Sequence, residues 1–80
     1  MSQTQALDRQ VGGDHYKHLA IQPAEYSYKN KLSSLEAGIV KYITRWKLKG
    51  GFEDLDKIIH LVELIKQFET EMGHHWREGE

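Results

Sequence analysis

SSLEAGIVKYITRWKLKGGFEDLDKIIHLVELIKQFETEM, residues 33–72, is the stretch on which the fold turns. It opens on Ser33-Ser34-Leu35-Glu36, a capping box in which a serine hydroxyl and a glutamate carboxylate each satisfy a backbone N–H that a helix start leaves unpaired. Leu35, Ile39, Tyr42, Ile43 and Trp46 follow at spacings of three and four, the period of one helix face. The helix is predicted to run to about Leu48. Gly50-Gly51 then stops it, with a left-handed glycine cap expected there. A second helix is predicted from Phe52 to Met72. Glu53, Asp54 and Asp56 lie in its first turns, where negative charge favours the helix dipole. Leu55, Ile58, Ile59, Leu61, Val62, Leu64, Ile65 and Phe68 cover more than half of its circumference. Glu53, Asp56, His60, Glu63 and Gln67 share what is left. One packed neighbour requires a narrower apolar stripe than this, so the surplus calls for another covering surface.

Working outward, Pro23 fits the first position of a helix, where its missing N–H is not needed. A short helix is predicted over Pro23 to Asn30, with Tyr26 packing inward. Gly12-Gly13-Asp14 signals a turn, and His15 to Gln22 reads as irregular or short extended chain. Residues 1–10 read as a flexible arm and residues 73–80 as a polar tail, which leaves 11–72 as the expected single helical domain. The expected fold is therefore mainly α: an irregular N-terminal arm, a short helix and a two-helix antiparallel hairpin, assembled as a homo-oligomer.

Size supports the last point. Eighty residues make one domain that buries only about 60% of the surface its unfolded chain exposes. Domains this small are marginal unless a metal, disulfides or partner subunits help. There is no cysteine, which excludes disulfides and cysteine-based zinc sites and leaves subunit association. Eleven basic and twelve acidic side chains give a formal charge of −1, which lacks the basic excess of a duplex-DNA binder. No apolar run approaches a membrane span, and Met1 to Gln10 carries no apolar signal core. The expectation is a cytoplasmic protein with neither membrane nor nucleic acid as partner.

Two groups of residues are candidates for chemistry. At 100° per residue, Ser34, Gly38, Lys41, Arg45 and Lys49 fall in one arc of about 80° on the first long helix. Three cations on a stripe can hold phosphate, Arg45 as a planar fork and the lysines as point charges. Gly38 admits a ligand or another backbone at close range. The same stripe also reads as a solvated face, or one paired with Glu53, Asp54 and Asp56 of the next helix. The second group is Gly12-Gly13-Asp14-His15-Tyr16. Its glycines let backbone N–H groups face a ligand, His15 can exchange a proton, and Tyr16 can stack on a base. The plain reading is a turn followed by an anchoring aromatic.

Other patterns carry less. The acids after Gly50-Gly51 would repel a phosphate, and no G-x-x-x-x-G-K-[ST] loop is present. The histidines, His15, His18, His60, His74 and His75, form no zinc-ligand spacing. Glu53 and Asp56, continued by His60 and Glu63, resemble a magnesium-binding carboxylate pair only faintly, and the helix dipole explains the same acids. No metal site is expected.

Several separated blocks resemble the SaV-like phage protein family: Val11-Gly12-Gly13-Asp14-His15-Tyr16, Ile21-Gln22-Pro23, Leu35-Glu36-Ala37-Gly38, Val40-Lys41-Tyr42-Ile43 with Arg45 and Lys47, and Gly51 with Glu53-Asp54-Leu55 and Lys57. The resemblance spans about residues 11–66. It is shared with a domain of a coliphage nucleotide kinase, and this chain lacks that relative's extra N-terminal region. What the resemblance implies is nucleoside-phosphate handling, multimeric assembly and a place in the cytoplasm of an infected bacterial host. It also gives weight to Gly12–Tyr16 and to Lys41–Arg45 as signature positions.

Together these expectations make a phage-encoded, nucleotide-binding homo-oligomer. Its ligand-binding residues would be Gly12, Gly13, Asp14, His15, Tyr16, Gly38, Lys41, Tyr42 and Arg45. Lys41 and Arg45 would hold phosphate, Tyr16 and Tyr42 would contact base or sugar, and Asp14 would orient His15. Sequestration of a nucleotide signal used in host antiviral defence is one use of such a site. The alternatives are a nucleoside monophosphate kinase without a P-loop, which alone would require ATP and magnesium, and an interaction module whose last helix docks on a host protein.

Overall fold

The computed structural model describes residue 16 and residues 18–74. The expected arm at 1–10, the residues Gly12 to His15 and the tail from 75 onward lie outside them. The described chain is mainly helical, with 76% of it in helix and no strand. Helix α1 spans Pro23–Lys29, α2 spans Ser34–Arg45, a π-helical turn spans Trp46–Gly50, and α3 spans Phe52–Glu71. None of these helices is long and apolar enough to cross a membrane.

Pro23 stands at the start of α1, as its fixed φ and missing N–H favour. Asn30 caps the far end, donating from its side-chain amide to the Tyr26 carbonyl at 2.9 Å. The chain then reverses through a Schellman motif. Lys31 N–H donates to Tyr28 O and Leu32 N–H to Ser27 O, and Lys31 takes a positive φ of 58° to do so. Glycine, which has no Cβ to crowd, adopts that conformation without strain. Lys31→Gly is therefore expected to stabilise the fold, by about 0.5–1 kcal/mol after the extra freedom glycine has when unfolded. A raised urea midpoint at unchanged slope would register it, and a lowered midpoint would show that the lysine side chain matters more than the backbone strain.

Helix α2 begins with the full capping box. Glu36 N–H donates to Ser33 Oγ at 3.2 Å, and Ser33 N–H donates to Glu36 Oε1 at 2.8 Å. The helix ends earlier than its periodicity suggests. After Arg45 the backbone widens into the π turn, closed by Gly51 N–H donating to the Trp46 carbonyl at 2.7 Å. Such single turns interrupt α-helices where tertiary contacts demand another geometry. Gly51 is not the left-handed cap expected: its φ of 60° and ψ of −148° fall in a region open essentially to glycine alone. Helix α3 starts on the next residue and closes on a second Schellman motif, with Gly73 N–H donating to Thr70 O and His74 N–H to Glu69 O.

α2 packs against both neighbours, α1 and α3. The approach of α2 to α3 is close at Gly38, where a Cβ would stand 3.1 Å from a methyl of Leu61. That packing accounts for the glycine; what comes near its α-carbon is a leucine. α1 presents Pro23 and Ser27 inward, whereas Tyr26, expected inside, stays exposed. Among the described residues no large apolar side chain is fully buried. A single described chain thus has packed helices but no closed hydrophobic core.

Candidate functional site

At the hinge between α2 and α3 the chain closes a buried ion pair. Arg45, the last residue of α2, donates from Nε to Asp54 Oδ2 at 2.9 Å and from Nη2 to Asp54 Oδ1 at 3.1 Å. This is the parallel fork that arginine makes with a carboxylate. Asp54 is only 1% exposed and the Arg45 side chain 14%. The π turn and Gly51 bring the two together across nine residues. Gly50 has to lack a side chain, because a Cβ there would fall within the Asp54 carboxylate. The bonds to Arg45 hold the Asp54 carboxyl below the usual carboxylate range against the opposing effect of burial, with Lys57 and Lys49 adding smaller favourable charge. Reciprocally, Asp54 raises the Arg45 guanidinium, and Tyr16 contributes in the same direction.

Tyr42 sits under this pair. The Arg45 guanidinium carbon lies 4.8 Å from its ring centroid, and the ammonium groups of Lys57 and Lys41 lie 5.2 and 5.4 Å away. Cations at such distances are attracted to the ring face. Tyr42 therefore orders cations, on the side of α2 where a shallow depression is lined by Glu53, Asp56, Lys57, His60 and Leu61. Among the described residues no cluster of three or more His, Asp or Glu side chains is arranged to hold a metal ion.

Another part of the expected ligand set lies in a groove of about 360 Å³ between α1 and α2. Tyr16, Gly38 and Lys41 line it, joined by Gln22, Ser27 and Ser34. Lys41 is exposed, and no described acid forms an ion pair with it. Ser27 is 7% exposed, and its hydroxyl has no hydrogen-bond partner among the described residues. Buried hydroxyls are nearly always paired, and this one is an exception that borders the groove.

Of the nine sequence-predicted residues, Tyr16, Gly38 and Lys41 thus share one groove. Tyr42 faces the other depression. Arg45 spends one edge of its fork on Asp54, which is the paired arrangement that the stripe also allowed; the two-pronged phosphate grip expected of it is not open on that edge. Gly12, Gly13, Asp14 and His15 lie outside the described residues. Ser27 and Gln22 were not singled out from sequence. Their one signal is position, on the first turns of a proline-started helix next to Tyr16. Comparison of the chain with family models, curated proteins and solved structures gives no match in any of the three.

Proposed function

We propose that the chain is a nucleotide-binding homo-oligomer whose ligand lies in the α1–α2 groove. The observation that carries this reading is the groove's composition: an aromatic ring from Tyr16, an exposed cation from Lys41 and the buried hydroxyl of Ser27, which has no hydrogen-bond partner among the described residues. Such a set suits a flat ring, a phosphate and a polar edge at once. Lys41 meets the phosphate as a point charge. Tyr16 lies against the base or sugar, and Ser27 with Gln22 takes its polar edge. Arg45 acts at one remove, holding Asp54 and bracing Tyr16 and Tyr42. The resemblance to the SaV-like phage proteins supports nucleotide handling in an infected cell, where tight retention would withdraw a signal from host defence. One groove with one phosphate cation serves one nucleotide, which favours retention over transfer between two.

The test uses the full chain and a panel of nucleotides, with and without ATP and magnesium, followed by denaturation and chromatography of what is released. Intact nucleotide in stoichiometric amount is the expected result. Conversion of a monophosphate to a diphosphate would replace retention with kinase activity, and no binding at all would reject both. Lys41→Ala is expected to weaken binding about tenfold or more, the scale of one charge-assisted hydrogen bond, with the helices intact by circular dichroism. Affinity unchanged in both Lys41→Ala and Ser27→Val would remove the groove as the site.

A further inference from the structure

We propose that α3 pairs antiparallel with α3 of a second copy of this chain, along a seam formed by Phe52, Leu55, Ile59 and Val62. This deepens the oligomer reading above by naming its surface. The four residues are spaced by three, four and three, the a and d positions of a heptad repeat, which keep one seam facing a partner helix. Helix α3 already turns its Asp54 and Leu61 side toward α2. The seam lies on the other side, with Phe52 78%, Ile59 58% and Val62 42% exposed. No large apolar side chain of the described residues is buried within one chain, and subunit association is a common support for a cysteine-free domain of this size.

Charge selects a second copy in antiparallel orientation. The next two seam positions are Lys66 and Glu69. Parallel pairing in register would set Lys66 against Lys66 and Glu69 against Glu69. Antiparallel pairing with Ile59 level with Val62 of the other copy sets Lys66 level with Leu55 and beside Asp56, twice by symmetry. Lysine can lie along the leucine and reach that carboxylate with its ammonium. Glu69 comes level with Phe52, at the positive end of the other α3 dipole.

The experiment is light scattering on the gel-filtered full chain at micromolar concentration, which requires no ligand. The wild type is expected at twice the monomer mass or a higher even multiple. Ile59→Asp is expected to lower that mass while helix content persists, whereas Ile43→Asp, on the exposed face of α2, leaves it unchanged. Lys66→Asp and Asp56→Lys each place like charges together and are expected to weaken association about tenfold. Combining them restores it. The charge pair tests the seam even where Ile59→Asp unfolds the chain. A monomeric wild type would overturn the seam and the oligomer reading together. An oligomer indifferent to Ile59→Asp, or one in which the double charge reversal is no stronger than the singles, would overturn the seam alone. Nucleotide binding is read separately and is decided by neither result.

Discussion

Asp54→Asn is expected to lower the melting temperature by more than about 10 °C at fixed protein concentration. The substitution keeps the size of the side chain and removes its charge, so the Arg45 guanidinium remains largely enclosed without a counter-charge. Removing one partner of a buried pair costs far more than the pair contributes over an apolar substitute, because the remaining charge is uncompensated. A small domain converts such a loss into a large shift of its midpoint. Arg45→Met, which removes the other charge and keeps the volume of the stem, is expected to be severe as well, since it leaves a carboxylate that is 1% exposed with only the more distant Lys57 ammonium, 3.9 Å away. The double variant Asp54→Asn with Arg45→Met should then be less unstable than the sum of the two. A drop of only a few degrees in Asp54→Asn would show that the pair is solvated in solution and does not brace the hinge.

The same pair fixes the sign of a pH effect. Asp54 has its carboxyl lowered, first by the hydrogen bonds from Arg45. In the folded state it thus remains ionised at a pH where it would already take up a proton in the unfolded chain. Its contribution to stability is complete above the unfolded value and is lost as pH falls toward and through the lower folded one. Wild-type stability should decline across that acid range more steeply than that of Asp54→Asn, and the two curves should converge at its lower end.

Much of the helical framework is readable from local chemistry. Ser33 and Glu36 satisfy each other within one turn, and Pro23 sets its own φ, so both helix starts follow from residues close in the chain. The hinge is different. Asp54 reads as one of three acids at a helix start, and nothing in its immediate neighbours separates it from Glu53 or Asp56. Only the reversal of the chain puts it against Arg45. Lys41 and Arg45 likewise share a stripe, yet the end of α2 turns one toward the groove and the other into the hinge. Ser27 reads as an ordinary helical serine, and its burial is a consequence of how α1 lies on α2. The surplus apolar arc of α3 is legible because it is a property of one helix, and Phe52, Ile59 and Val62 remain exposed on it.

Gly50→Ala carries the second large expected effect and isolates what the hinge requires. Alanine is ordinarily the better helix residue, by about 1 kcal/mol over glycine, so propensity alone predicts a gain. The geometry predicts a loss, because an alanine Cβ at this position would occupy the space of the Asp54 carboxylate. The carboxylate cannot step aside without leaving both of its bonds to Arg45. Gly50→Ala should therefore destabilise the chain about as much as breaking the ion pair does, a shift on the order of 10 °C by the same conversion. In an Asp54→Ala background the obstructing atoms are gone, and the same substitution should be nearly neutral or slightly stabilising. That reversal is a coupling between two positions in contact, and a double-mutant cycle measures it as non-additivity. Gly51→Ala provides the contrast. Its cost arises from a φ of 60° with no atom within 4 Å of the added Cβ, so the strain should persist whether or not Asp54 is present. Additive behaviour of Gly50→Ala with Asp54→Ala would mean that the glycine serves the π turn's backbone and that the carboxylate's proximity is incidental. Non-additivity at Gly50 with additivity at Gly51 is the expected pattern, and it would assign the two adjacent glycines to two different physical causes.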